Sequence, residues 1–424
     1  SQWLTGGKLA LNRQLGAGQT LFAVVSRGYR AGGVNQHPRL AAQNRPYDPE
    51  YLLNFEVGYR ATGPKATTSL TLFHAMRDDA IAGVYFKALG EADDAQGYLF
   101  GGDAADLQSA FQIDNLAFYG QYAHALDANT RLSLNLRLDR NAIDYTGTTD
   151  SADRVGFYIG QWLTGGKLAL NRQLDSGQTL FAAVSRGYRA GGVNQHPRLA
   201  AQNRPYDPEY LLNFEVGYRA FSPKSTTSLT LFHALRSDQQ LSLSSQQNPG
   251  DPNSFFFFTA NASTGRSSGL ELEQSYLLLP QLRLSGSLGL LSTYVDAYTF
   301  ETAAGTNAIL GDRATAHAPS YTAQLAADYA ASNGLCARLE MTASDAFFHS
   351  DSHDQQSDAY QLFHGRIGYK RGPLTLALWG RNLLDERYAV RGFFFGLAPP
   401  NYADTLYESY GDPRQLGLSV AAAF

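Results

Sequence analysis

The chain has 424 residues, 44% hydrophobic and 12% aromatic, with 41 Gly and a formal net charge of −4. No run approaches the roughly 20 apolar residues of a membrane-spanning helix, and there is no basic block, so a helical membrane protein and a nucleic-acid partner are excluded. Cys336 is the only cysteine, which removes disulfide frameworks and cysteine-based metal clusters.

In chain order, the pattern opens on a strand over Gln2 to Leu15, with no signal peptide expected in the sequence from Ser1, and a turn at Gly16 to Gly18. Gln2 to Asp79 reappears as Gln161 to Asp238 with eight mismatches, among them Gly16/Asp175, Val24/Ala183 and Met76/Leu235. A fold constrains pattern more than identity, so copies this close point to recent or artificial duplication. Only an architecture of interchangeable neighbouring hairpins accepts such a block. The dominant period is two: Leu132, Leu134, Leu136 and Leu138 alternate with Ser133, Asn135 and Arg137. Leu282, Leu284, Leu288 and Leu290 alternate with Arg283, Ser285, Ser287 and Gly289, and the chain closes on Leu416, Leu418, Val420, Ala422 and Phe424. Each segment therefore has one apolar face and one polar or small face.

Tight turns are expected at 16–18, 63–65, 127–129, 175–177, 222–224, 279–281, 332–334 and 371–373. Longer polar connections are expected at 34–49, about 90–107, 144–154, 193–208, 239–253, 295–319, 350–358 and 389–408. Turns alternating with long loops are the pattern of an outer-membrane barrel, with turns on the periplasmic side. The segments also suit tilted spans of about 9 to 11 residues. The fold class is thus all-β, an antiparallel transmembrane β-barrel of about 17 strands. An odd count leaves the first and last strands parallel, so at least one upward strand is expected to be missing at the N-terminus. Where the first copy ends, Leu70 to Arg77 and Ala82 to Leu89 are expected to join as one strand.

Ser185 to Asn194 (SRGYRAGGVN), Tyr206 to Tyr210 (YDPEY) and Phe214 to Tyr218 (FEVGY) resemble middle barrel strands of TonB-dependent outer-membrane receptors. Ser267 to Glu273, with its Gly-Leu-Glu-Leu-Glu core, resembles a later strand. Gly380 to Tyr388, Gly411 to Arg414 and terminal Phe424 resemble the closing hairpin. The resemblance covers residues 83 to 424 in natural order, and 2 to 79 as a misplaced copy. It implies bacterial outer-membrane localisation, a lipid environment, a ferric siderophore or related small molecule as ligand, and TonB as partner. Family members carry an N-terminal plug and a TonB-contacting segment. Neither is expected here, so residues 1–424 are expected to be barrel alone.

Glu56 and Glu215 alternate with apolar neighbours and are expected to face the lumen, as solvated or Arg-paired carboxylates or as substrate contacts. Arg27, Arg30, Arg186 and Arg189 are expected to be inward ion-pair partners. The ligand-binding candidates are Asn194, His196, Arg198, Asn203, Arg204 and Tyr206, because cations with aromatics suit an anionic catechol or hydroxamate chelate. His349, Asp351, His353 and Asp354 have metal-binding donors, but a solvated loop is the expected reading and no metal is assigned. Phe255 to Phe258 and Phe393 to Phe395 are expected in aromatic girdles. No catalytic triad, phosphate loop or zinc spacing emerges, so no enzyme and no cofactor are expected. The leading reading is nutrient uptake. The alternatives are a plugless passive pore and a non-functional fragment of such a receptor.

Overall fold

The computed structural model describes residues 4–30, 33–34, 46–47, 50–86, 89–90, 100–101, 104–149, 152–194, 204–246, 255–303, 306–396, 401 and 403–422. Within them lies one antiparallel sheet of 17 strands. The first repeat copy supplies β1 (Gly7–Gly16), β2 (Gln19–Arg30), β3 (Glu50–Thr62) and the start of β4 (Ala66–Phe86). Next come β5 (Ala104–Ala125), β6 (Thr130–Thr149) and β7 (Ala152–Asp175). The second copy begins within β7 and continues through β8 (Gln178–Arg189), β9 (Glu209–Phe221) and part of β10 (Ser225–Gln246). After it run β11 (Phe255–Leu279), β12 (Leu282–Val295), β13 (Tyr321–Ala330) and β14 (Leu335–Ser344). The last strands are β15 (Tyr360–Arg371), β16 (Leu374–Arg381) and β17 (Gln415–Ala422).

Each strand pairs with the next in sequence. β1 and β17 both run toward the turn end of the sheet, as an odd count requires. The two repeat copies adopt one register: Gly7 faces Arg27 as Gly166 faces Arg186, and Gln19 faces Ala61 as Gln178 faces Ala220. Side chains follow suit. Arg60 lies 4.9 Å from the Phe22 ring and Arg219 lies 4.8 Å from that of Phe181. Each ring covers a glycine, Gly58 or Gly217, where any Cβ would collide with it.

Alternation sorts the two faces as expected. Leu134, Leu136, Leu168, Leu212, Val216, Leu231, Leu290, Leu325, Leu339, Ile367, Leu378 and Leu418 stand exposed on one face. The intervening residues, including Arg137, Asp139, Glu215, Glu271 and Arg338, form the other. Such a wall is stable only with lipid on the apolar side, since water there would contact a continuous hydrocarbon band. At the turn end, Gly334 takes φ of 95°, and a Cβ there would run into the Lys370 carbonyl.

β4 runs unbroken to Phe86, so the end of the first repeat copy lies inside one strand. Several expected loops are strand instead. The connection expected over 144–154 is mostly hairpin, because Ile143 and Tyr145 are buried on the inner face and the Tyr145 ring centroid lies 4.7 Å from that of Phe111. β10 likewise runs on to Gln246, into the connection expected over 239–253, and its Leu241 and Leu243 form a small core with Ala262 of β11 and Val295 of β12. Short hairpins fill the later connections: Tyr298–Ala303 with Thr306–Leu310, Phe348–Ser350 with His353–Gln356, and Ala389–Gly396 with Asp404–Tyr410.

Candidate functional site

The hairpins at the loop end form a packed rim, and the sequence-nominated ligand residues divide there into holders and unassigned groups. Asn194 is buried and its amide copies a strand edge: Nδ2 donates to the Thr259 carbonyl at 2.7 Å, and Oδ1 accepts from the Thr259 N–H at 2.7 Å. Its own N–H donates to the Arg204 carbonyl at 2.7 Å, closing a small hairpin in which Gly192 faces Tyr206. Arg204 is buried and Tyr206 half-buried beside it. His196, Arg198 and Asn203 lie outside the described residues.

Sequence reading missed the polar knot that anchors this hairpin. Buried Glu209 pairs with Arg236 at 2.5 Å and accepts the Gln240 N–H at 2.8 Å. The Gln240 amide donates to the carbonyls of Ala190 and Asp207, both at 2.9 Å, while Asn261 donates to those of Asp207 and Asp238. Glu209 stood within the quoted YDPEY motif, but its partners Arg236 and Gln240 both come from β10, about 30 residues on, and had no signal in local spacing.

Arg313 organises the other half of the rim. It donates to the carbonyls of Ser350 at 2.9 Å and His353 at 3.0 Å, and lies 4.1 Å from the Phe348 ring centroid. Its Nε sits 2.9 Å from Asp354, angled as an ion pair rather than a hydrogen bond. Asp351 caps the Ala316 N–H at 2.9 Å, and His349 is buried 3.3 Å from Glu408. The His/Asp cluster therefore builds a hairpin, and the described residues contain no group of three or more metal-binding side chains. The expected girdle rings behave similarly: Phe394 packs on His353 at 5.8 Å, Phe395 on Tyr407 at 5.4 Å, and Phe258 on the small core. These three rings pack within the rim, and the side chains of Phe255 and Phe256 lie outside the described residues. Phe257 is exposed.

Burial, reinforced by the His349 and Arg313 charges, pulls the His353 imidazole down to about 4, and burial lowers His317 too. A depressed folded-state value means the unfolded hairpin binds more protons, so stability is full above the ordinary value of about 6.5 and falls as pH drops toward 4. Allowing for its half exposure, the loss is about 1–2 kcal/mol. Amide exchange of the 348–356 hairpin should accelerate between pH 6.5 and 4. His353→Gln should flatten that dependence, and an unchanged profile would refute the assignment.

Below the rim, the inner wall is polar. Glu215 accepts from Asn213 at 2.9 Å and lies 3.8 Å from Lys167, so its cationic neighbour is lysine, not arginine. Glu56 repeats the Asn contact with Asn54 at 2.7 Å. Arg186 departs from expectation. Opposite exposed Leu212 in register, it faces outward, bonds Thr164 and stacks 4.1 Å from Tyr210, as Arg27 does on Tyr51 at 4.2 Å. Both lie at the loop-end rim, where a guanidinium on an aromatic ring reaches interfacial water. Arg189 stands opposite Glu209, whose carboxylate Arg236 already holds, and Arg30 stands opposite Glu50.

The most buried inner node joins β6 to β8. Asp139 is 3% exposed and accepts from Arg137 Nε at 3.0 Å and Nη2 at 2.9 Å, and from the Tyr188 hydroxyl. β8 leaves β7 after Arg186, so Tyr188 crosses over Gly165 to reach the node. Arg137 also lies 5.1 Å from the Phe73 ring and 5.5 Å from that of Tyr119.

A sheet apolar on one face, polar on the other, with tight turns at one end and folded hairpins at the opposite end, defines an outer-membrane-type β-barrel wall. The chain belongs to the TonB dependent receptor-like beta-barrel family, whose model matches residues 82–383. Its fold is similar to that of the ferric yersiniabactin uptake receptor FyuA from Yersinia pestis, at 15% identity and a TM-score of 0.73 over 98% of this chain. It is also similar to the siderophore receptor PiuA from Acinetobacter baumannii (13% identity, TM-score 0.73) and to the copper transporter OprC (14%, 0.69), each over 98% of this chain. The chain spans 60%, 64% and 65% of those three structures respectively. As in its family, the chain is a receptor component and not an enzyme.

Proposed function

We propose that this barrel serves TonB-dependent uptake of a ferric siderophore or similarly scarce nutrient across a bacterial outer membrane. The observation that carries the reading is the family match over residues 82–383. Similarity to siderophore receptors and a copper transporter supports the ligand class. Because the chain spans less than two thirds of those structures, transport and TonB coupling are assigned to the receptor as a whole. In this reading the ligand is contacted by His196, Arg198, Asn203 and Tyr206, while Asn194 and Arg204 close the small hairpin that carries Tyr206.

Purified protein titrated with ferric catecholates, ferric hydroxamates and ferric citrate, followed by tryptophan fluorescence, tests this. Saturable binding of one class, weakened by His196→Ala with Arg198→Ala, is the expected result. Failure of every chelate to bind, with a large steady conductance in planar bilayers, would replace uptake by a passive pore.

A further inference from the structure

Arg186 and Arg27, at the loop end of the apolar face, carry charge that no acid answers. Arg186 Nη1 donates to the Thr164 carbonyl at 2.6 Å and to the Thr164 hydroxyl, and the guanidinium lies 4.1 Å from the Tyr210 ring centroid. Among the described residues it makes no ion pair, and nothing accepts from its Nε or Nη2. Threonine and tyrosine therefore hold the fork still and leave one donor edge open. Arg27 repeats the arrangement in the first copy: it donates to the Thr5 hydroxyl at 2.9 Å and lies 4.2 Å from Tyr51. It too makes no ion pair among the described residues.

Toward the turn end from each arginine, the apolar face is hollow. In successive transverse rows Ala182 stands between Leu170 and Val216, Val184 between Leu168 and Phe214, and Arg186 between Gly166 and Leu212. The small Ala182 side chain makes a floor among larger neighbours, and a concavity of about 680 Å³ opens there, walled by Leu168, Leu170, Phe214 and Val216. Gly166, with no side chain, leaves one flank of Arg186 uncovered. The first copy has the same rows: Ala23 between Leu11 and Val57, Val25 between Leu9 and Phe55, and Arg27 between Gly7 and Leu53. None of the differences between the copies falls on these positions.

Groove and charge follow each other along the strand as chain and headgroup do in a lipid. Hydrocarbon fits the groove, and an anionic headgroup fits the guanidinium beyond its loop end. An arginine fork matches phosphate oxygens in bidentate geometry and is weakly hydrated, so it suits an anion at a lipid boundary. A soluble anion would leave the groove empty. A second copy of the chain, docked by the same face, would set arginine against arginine.

We propose that each repeat copy carries a site for a phosphorylated membrane lipid of the loop-side leaflet, in which Arg186 or Arg27 binds the phosphate and one acyl chain lies in the groove over Ala182 or Ala23. The duplication thereby gives the chain two equivalent lipid sites. Both lie on the outward face of the sheet and do not depend on the uptake reading.

Native mass spectrometry of the delipidated protein tests this, with dioleoylphosphatidic acid and separately with dioleoylglycerol, which has the same chains and no phosphate. Two phosphatidic acid molecules per chain are expected at saturation, one in Arg186→Gln and none in Arg27→Gln/Arg186→Gln. Lys167→Gln, on the opposite face of β7, should still bind two. Arg27→Lys/Arg186→Lys keeps the charge but loses the fork, so affinity about tenfold below the parent is expected and guards against misfolding of the Gln variant. Dioleoylglycerol should not be retained. Equal retention of both lipids, or phosphatidic acid binding that survives the double Gln substitution in protein that keeps its heat-modifiable gel migration, would overturn the proposal. Inorganic phosphate bound in place of lipid, or a two-chain species in place of lipid adducts, would overturn it as well. Chelate binding at the rim would be unaffected by that outcome.

Discussion

Arg137→Ala should destabilise the folded barrel more than any other single change on its polar face. It strips the buried Asp139 carboxylate of two hydrogen bonds, and Asp139 Oδ1 already lacks a partner. Removing one partner of a buried pair leaves an uncompensated charge, at a cost of 3–5 kcal/mol in general. Arg137 is 41% exposed, so water screens part of the pair and about 2–3 kcal/mol is expected. Urea unfolding in detergent would read the loss as a lowered midpoint. The double variant Arg137→Ala/Asp139→Ala should recover about half of it, because the orphaned charge goes too. A double variant no more stable than Arg137→Ala would show that the pair is not the source.

Val216→Arg should be comparably damaging for the opposite reason. Val216 is 49% exposed in the middle of β9, on the apolar face. A cation placed there meets hydrocarbon, at about 2–4 kcal/mol near the bilayer midplane. Gln324→Arg, on the polar face of β13, should cost under about 1 kcal/mol because its head remains in water. Refolding into lipid vesicles followed by gel migration compares them directly. Equal yields of the two variants would mean that the apolar face does not meet lipid.

Much of this architecture was legible because a two-residue period records burial on every turn of the pleat. Runs such as Leu132 to Leu138 and Leu416 to Val420 specified both strand and face, and the Gly, Asn, Asp and Pro clusters specified the turns. The loop end was read less well. Polarity suggested loops over 144–154 and 239–253, yet Tyr145, Leu241 and Leu243 pack on residues distant in sequence, and those contacts carry the strands onward. The site suffered in the same way. Asn194 has the chemistry of a ligand contact, but its amide is spent on Thr259, 65 residues away. The outward turn of Arg186 depends on parity along β8, which one sequence does not fix without the register of β9.

The central claim is that one face of this sheet meets lipid and the other an aqueous lumen. Spin labels placed singly from Leu212 to Arg219 on β9, in protein reconstituted into vesicles, test it through collisions with oxygen and with a water-soluble nickel chelate. Oxygen accessibility should peak at 212, 214, 216 and 218 and nickel accessibility at 213, 215, 217 and 219. Uniform accessibility along the strand, or alternation of the opposite phase, would contradict the account.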